Sequence, residues 1–254
     1  MAKRQENLTR KAGTKRQAVL NVVSSWAAVL VMALFIITFN LQTFGIPSSS
    51  MEKTLLVGDH LIVDRITAAP KTSWAFWQHY QEIHRGDIIV FYSPATPGMH
   101  LVKRVIAVPG DRIHLRDGVV YLNGTEQKEP YVIHIQHDYE PYRGFPAIPA
   151  WQSPVLVTPA WRQRLQSAKQ GDDLVVPPDS YFAMGDNRDV SWDSRYWGFI
   201  PQESIIGRPL VVYWLFEEAA DPSANSREQA KYVLHATLHF FDETRWRRTF
   251  HFVH

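Results

Sequence analysis

The stretch Leu101-Val-Lys-Arg-Val-Ile-Ala-Val108 decides the fold class. It is a β-branched, apolar run that stops at Pro109-Gly110 and resumes as Asp111–Leu115. The chain then reverses at Arg116-Asp117-Gly118 and returns as Val119–Leu122. Asp-Gly tolerates the positive φ of a tight hairpin turn, so strand, turn and strand is the reading. Asn123-Gly124 offers a second such turn. Working outward, His60–Ile66, Asp87–Ser93, His100–Val108 and Pro209–Trp214 carry the same Val, Ile and Tyr enrichment. The expectation is a mainly β, mostly antiparallel domain. Asn123–Pro178 is rich in Pro, Tyr and charge and reads as an irregular insertion with one short helix around Pro159–Lys169. Asp221–Ser226 reads as a linker. In the tail, Leu234, Ala236, Leu238 and Phe240 alternate, while Val233, Thr237, Phe240 and Phe241 suit a helix. We expect a short helix and then a terminal strand or arm over Arg245–Val253.

The 254 residues allow one membrane span and one domain with a real core. A net charge of +2, from 27 basic and 25 acidic residues, argues against bulk electrostatic binding to nucleic acid. The absence of cysteine removes disulfides, thiolate zinc sites and a cysteine nucleophile together. His235 and His239 stand at i,i+4 spacing, but no carboxylate lies between them, and we expect no metal.

No charged residue occurs from Gln17 to Met51. The apolar heart, Val19 to Phe39, would be about 31 Å long as a helix, enough to cross a hydrocarbon core. The rival is a cleaved signal peptide, but the run is long for one and no Ala-x-Ala site follows. Lys3, Arg4, Arg10, Lys11, Lys15 and Arg16 precede the span, which would put the N-terminus in the cytoplasm and everything after Leu41 outside. Trp74, Phe76, Trp77 and Tyr80 suit either an interfacial belt or a small core.

Three features carry chemistry. Ile46-Pro-Ser-Ser-Ser-Met51 lies just beyond the span, with Pro47 stiffening its entry and Met51, Leu55 and Leu56 able to bury themselves. A serine hydroxyl needs a base. Lys103 can be that base if burial disfavours its ammonium form, and strand alternation gives it Leu101, Val105 and Ala107 as face-mates while Arg104 points away with Val102 and Ile106. Taken alone, such a lysine is more often an edge-strand gatekeeper. The third feature is Gly185-Asp-Asn-Arg-Asp189 through Asp193-Ser-Arg-Tyr-Trp-Gly-Phe199, dense in hydrogen-bonding groups yet followed by aromatics. That is the composition of a network that buries and satisfies its own charges. Asp193 and Arg195 could pair within it, with a purely structural ion-pair network as the rival reading.

With Arg85-Gly-Asp-Ile-Ile-Val-Phe91 these features form four motifs, in order, that resemble the bacterial type I signal peptidases, membrane-bound Ser-Lys serine proteases. The resemblance covers roughly residues 44 to 214, the insertion least. It implies Ser50 as nucleophile and Lys103 as general base. It implies Ser48 Oγ and the Ser50 amide as oxyanion hole, Ser191 as hydrogen-bond partner of the lysine, and Asp193 and Arg195 as support. Phe44, Ile46, Leu101 and Val102, with Met51, would line shallow pockets for small side chains. The implied fold is a catalytic core of coiled antiparallel sheets with an inserted β region. Implied partners are signal-peptide-bearing preproteins and the lipid bilayer, with no nucleic acid and no cofactor, at the bacterial plasma membrane. Ser49, Lys53 and Val190 depart from a common glycine, proline and asparagine. The expected organisation is a basic N-terminus (1–17), an anchor (18–42), an extracytoplasmic peptidase domain (43–217, insertion about 115–178) and an amphipathic tail (218–254). A specialised processing peptidase, a non-catalytic anchored module of the same fold and a soluble Ser-Lys autoprotease are the alternatives. The last two are disfavoured by the retained Ser50 and Lys103 and by the span respectively.

Overall fold

The structure, a computed structural model, describes residue 17 and residues 20–35, 40–65, 81–135, 144–147, 157–215, 227, 231 and 249–253. The aromatic cluster at Trp74–Tyr80, the linker and most of the expected tail helix fall outside them, as does the basic N-terminal cluster. The chain forms two compact units, Met1–Gln42 and Thr43–His254.

In the first unit a helix, α1, runs over 20–35 with every residue exposed, including Trp26 at 71% and Val31 at 65%. The hydroxyls of Ser24 and Ser25 both donate to the Asn21 carbonyl, so the helix satisfies its own small polar groups. Among the described residues no helix is long and apolar enough to cross a membrane.

The second unit is built on two antiparallel sheets. The larger has eight strands in the order β1 (Leu41–Gly45), β2 (Asp59–Asp64), β12 (Ile205–Leu215), β3 (Ile88–Tyr92), β4 (His100–Ala107), β10 (Ser180–Met184) and β11 (Ile200–Pro201), with β13 (His251–Phe252) added to β12. The smaller runs β7 (Thr125–Glu126), β6 (Val119–Leu122), β5 (Arg112–Arg116), β9 (Asp173–Val175) and β8 (Lys169–Gln170). Asp117 and Gly118 take φ of 51° and 82°, and Asn123 and Gly124 take 52° and 80°. Both pairs have the positive φ that a tight hairpin between right-twisted strands requires. The expected helix is present as α2 (Pro159–Ala168), begun by Thr158, whose hydroxyl accepts from the Trp161 amide, and by proline in its first turn.

Two sequence expectations are corrected, and one strand is unanticipated. The region after Asn123 is less irregular than its composition suggested: Lys169–Val175 forms a hairpin that pairs with β5. Ser180–Met184, to which the sequence reading assigns no strand, forms β10, buried between β4 and the two-residue edge strand β11. The last long strand begins at Ile205, because Gly207 and Pro209 sit at register shifts where a ladder bond is dispensable.

The larger sheet is curled. Phe44 of β1 and His100 of β4 are separated by three strands in the sheet order, yet their rings meet edge to face at 5.2 Å. Both faces of the sheet are covered. Ile89, Phe91, Val105 and Ala107 face a core shared with the smaller sheet, α2 and Trp197, while Ile88, Val90 and Val212 face a second core with Ile46, Met51 and Leu55. That double covering is why β3 reads as a continuous apolar run instead of an alternating one.

Candidate active site

Ser50 lies in a single 3-10 turn, Ser49–Met51, entered from Ser48 in extended conformation. The loop that holds it is fixed at its ends and its middle. The Ile46 amide donates to Asp59 O and the Gly58 amide to Ile46 O, closing the loop. Met51 and Leu55, 1% and 0% exposed, anchor it in the second core. Within the same loop Lys53 takes φ of 85°, a conformation that a proline ring cannot adopt.

Lys103 stands on β4 directly opposite Ile89 and is 3% exposed. Its Nζ donates to Ser50 Oγ at 2.6 Å, and the Ser48 and Ser50 hydroxyl oxygens are 3.3 Å apart. Burial pushes the Lys103 amine down from 10.5 to about 8; Asp193 pulls it up, Arg195 pushes it down and Asp186 pulls it up. A fraction of the amine is therefore neutral, and able to accept a proton, near pH 8.

The loop after β10 encloses this pair. Asp193 caps the short helix α3 (Ser194–Trp197) and accepts from Arg195 Nε at 2.8 Å, Arg195 Nη2 at 2.9 Å and the Gly185 amide at 3.1 Å. Burial alone would raise the Asp193 carboxyl, but the Arg195 charge and these hydrogen bonds hold it below the usual carboxylate range. Arg195 Nη2 also donates to Arg188 O, which ties the two ends of the loop. The Asn187 amide donates to Ser50 O at 3.1 Å, so the loop grips the nucleophile's backbone. Gly185 is required by close approach: a Cβ there would lie 2.5 Å from Ser50 O and 2.3 Å from Ser191 Oγ.

Ser191 is buried beside this point, but the hydrogen bond expected from it to the Lys103 amine is not formed. Its hydroxyl lies over the Gly185 α-carbon, and the amine turns to Ser50 instead. The expected pocket residues divide between the faces of β4. Ile46 and Met51 are buried in the second core, with Phe44 and Val102 packed half-buried against it, whereas Leu101 packs half-buried against the first.

Sequence reasoning missed the role of Arg104. It pairs bidentately with Asp186 at 2.9 and 2.8 Å, and Thr54 also donates to that carboxylate. The adjacent residues of β4 therefore do different work on opposite faces: Lys103 meets the serine hydroxyl and Arg104 holds the loop. Alternation places the two apart, but gives no sign that the second charge is buried.

A buried serine hydroxyl bonded to a buried amine within a curled antiparallel frame is an arrangement that can support a serine hydrolase's chemistry. Residues 19–214 match the family described as signal peptidase, peptidase S26. The chain is 31% identical over 221 residues to "Probable signal peptidase I-2" of Synechocystis sp., covering 82% of each. It is 30% identical to "Signal peptidase I" of Aquifex aeolicus, over 79% of this chain and 88% of that one. It is 28% identical to "Signal peptidase IB" of Staphylococcus aureus, over 80% and 93%. The chain belongs to the S26 signal peptidase family of serine peptidases.

Proposed function

We propose that the chain is a signal peptidase I, a membrane-anchored endopeptidase that removes signal peptides from exported preproteins with Ser50 and Lys103. The observation that carries this reading is the 2.6 Å contact between two buried groups, Lys103 Nζ and Ser50 Oγ, with the amine poised near pH 8. Neutral Lys103 takes the Ser50 proton as Oγ attacks the scissile carbonyl. The resulting oxyanion is met by the Ser48 hydroxyl and the Ser50 amide. Collapse breaks the C–N bond, Lys103 passes its proton to the departing amine, and an acyl ester remains on Ser50. Lys103 then deprotonates a water that hydrolyses the ester. Asp193, Arg195 and Ser191 keep the loop in shape around the pair.

Substrate binding has a matching opening. β10 pairs with β4 only from Arg104 onward, and β1 pairs only with β2 among the described strands, so His100–Lys103 and β1 present open backbone edges. An extended peptide can add there as a strand, with Phe44, Leu101 and Val102 selecting small side chains beside the cut. The apolar run 19–39 would hold the enzyme in the bilayer with its substrates, which makes their encounter local.

The test is cleavage of a preprotein bearing Ala-x-Ala by the detergent-solubilised chain, with the cut mapped by mass spectrometry. Cleavage after Ala-x-Ala by the parent chain, and a loss of several orders of magnitude in Ser50→Ala, is the expected result. Near-normal turnover by Ser50→Ala refutes the assignment.

A further inference from the structure

We propose that Tyr131, with Glu129, is a positioning residue for the reaction, through which the inserted region fixes the loop that grips the nucleophile. The inference rests on the signal peptidase reading and goes beyond it, because neither residue lies in the motifs that carry the family resemblance.

The segment after β7 returns to the site and touches it at several independent points. Arg104 Cζ lies 4.0 Å from the Tyr131 ring centroid, so the ring faces the guanidinium that clamps Asp186. The Tyr131 hydroxyl donates to Glu129 Oε1 at 2.9 Å, and the same oxygen accepts from Arg188 Nη2 at 2.6 Å. Burial, then the Glu129 charge, raises the Tyr131 hydroxyl, so it stays a donor. Two residues on, Ile133 bridges the loop backbone: its amide donates to Asp186 O and its carbonyl accepts from the Arg188 amide. Lys53, beside the nucleophile turn, donates to Pro130 O.

These contacts have one geometric consequence. Arg104 and Arg188 are 4% and 2% exposed and grip the loop from opposite ends of the Asp186–Arg188 stretch. Tyr131 engages both, by its ring face and, through Glu129, by its hydroxyl. Between the two arginines lies Asn187, whose amide holds Ser50 O. A shift of the brace therefore becomes a shift of the serine relative to Lys103, and small misplacements at a reacting pair are costly in rate. Cation–π and charged hydrogen-bond contacts strengthen as water is excluded, and here both arginines are buried while Tyr131 and Glu129 are half-buried.

The test uses the full chain in detergent with an Ala-x-Ala preprotein, and compares Tyr131→Leu, Tyr131→Phe and Glu129→Gln. Tyr131→Leu should lower kcat roughly 10- to 100-fold with KM nearly unchanged. Tyr131→Phe keeps the ring over Arg104 and should recover most of that loss. A second readout needs no substrate: the Lys103 titration, followed by NMR of labelled lysine. With Arg104 no longer held, Asp186 is less neutralised near the amine, so the midpoint should move up in Tyr131→Leu. Should Tyr131→Leu not fold, Glu129→Gln and Tyr131→Phe decide by smaller shifts in the same direction. Wild-type kcat and an unmoved lysine midpoint across the variants overturn the proposal, as does a kcat loss that tracks only the folded fraction. Absence of cleavage by the parent chain refutes the peptidase reading, while the lysine titration still judges the brace.

Discussion

Of the arginine–aspartate pairs in this molecule, one beside the active site and one on the smaller sheet make an instructive contrast. On the larger sheet's loop, Arg195 Nε meets Asp193 at 2.8 Å with the side chains 3% and 0% exposed. On the smaller sheet, Arg112 Nε meets Asp173 at 3.0 Å with the side chains 45% and 21% exposed, and His114 joins at 2.6 Å. Chemistry and distance are nearly the same; the surroundings are not. Water screens the outer pair and can replace either partner. At the inner pair neither charge has an alternative, so each fixes its neighbours' positions and ionisation, Lys103 included. Burial is what converts an ordinary ion pair into part of a site.

The sharpest way to break this comparison is at the lysine itself. Lys103→Arg keeps a positive charge but not a group that can become neutral, and should cost several orders of magnitude in kcat. In the parent chain kcat/KM should rise with pH to half-maximum near pH 8 as Lys103 loses its proton. Substantial turnover by the arginine variant would make Lys103 a structural charge like those of the outer cluster.

Next is the inner pair. Asp193→Ala leaves Arg195 as an uncompensated buried cation and should destabilise the chain by about 3–5 kcal/mol, read by thermal melting. A loss below about 1 kcal/mol would place the pair in the outer cluster's class.

Lys103→Met sharpens the comparison in the opposite direction, since it kills activity while stabilising the fold. The folded amine titrates near 8 and the unfolded one near 10.5, so the unfolded chain binds more protons in that window and stability rises with pH across it. Below pH 8 the buried lysine is therefore a full penalty, of roughly 3 kcal/mol. Lys103→Met should raise Tm at pH 7, with the gain fading by about pH 10.5. A lower Tm at pH 7 would contradict the burial argument.

The smallest effect belongs to the exposed pair. Asp173→Asn should change stability by less than about 1 kcal/mol and, placed in the other sheet, leave kcat alone. A large loss would show that exposure is a poor guide to what a pair does in this fold.

Much of this was legible in the chain. Apolar β-branched runs and two Asp-Gly or Asn-Gly turns determined a mainly β, antiparallel domain, because both signals are local: they depend on a residue and its immediate neighbours. Alternation determined that Lys103 would have apolar face-mates, and the crowding of polar groups before aromatics at Gly185–Phe199 marked a network closed on itself. Only the tertiary structure decided what meets what. The curl of the larger sheet carries Ser50, beyond β1, onto β4, a contact between residues 53 positions apart. It also aims Lys103 at Ser50 and not at Ser191, buries Arg104 against Asp186, and brings Glu129 and Tyr131 back from a stretch with no periodic signal at all. Local pattern specifies which face of a strand a side chain takes. The partner across the gap depends on how two sheets and a loop pack, and that is set by the summed burial of cores to which no single motif belongs.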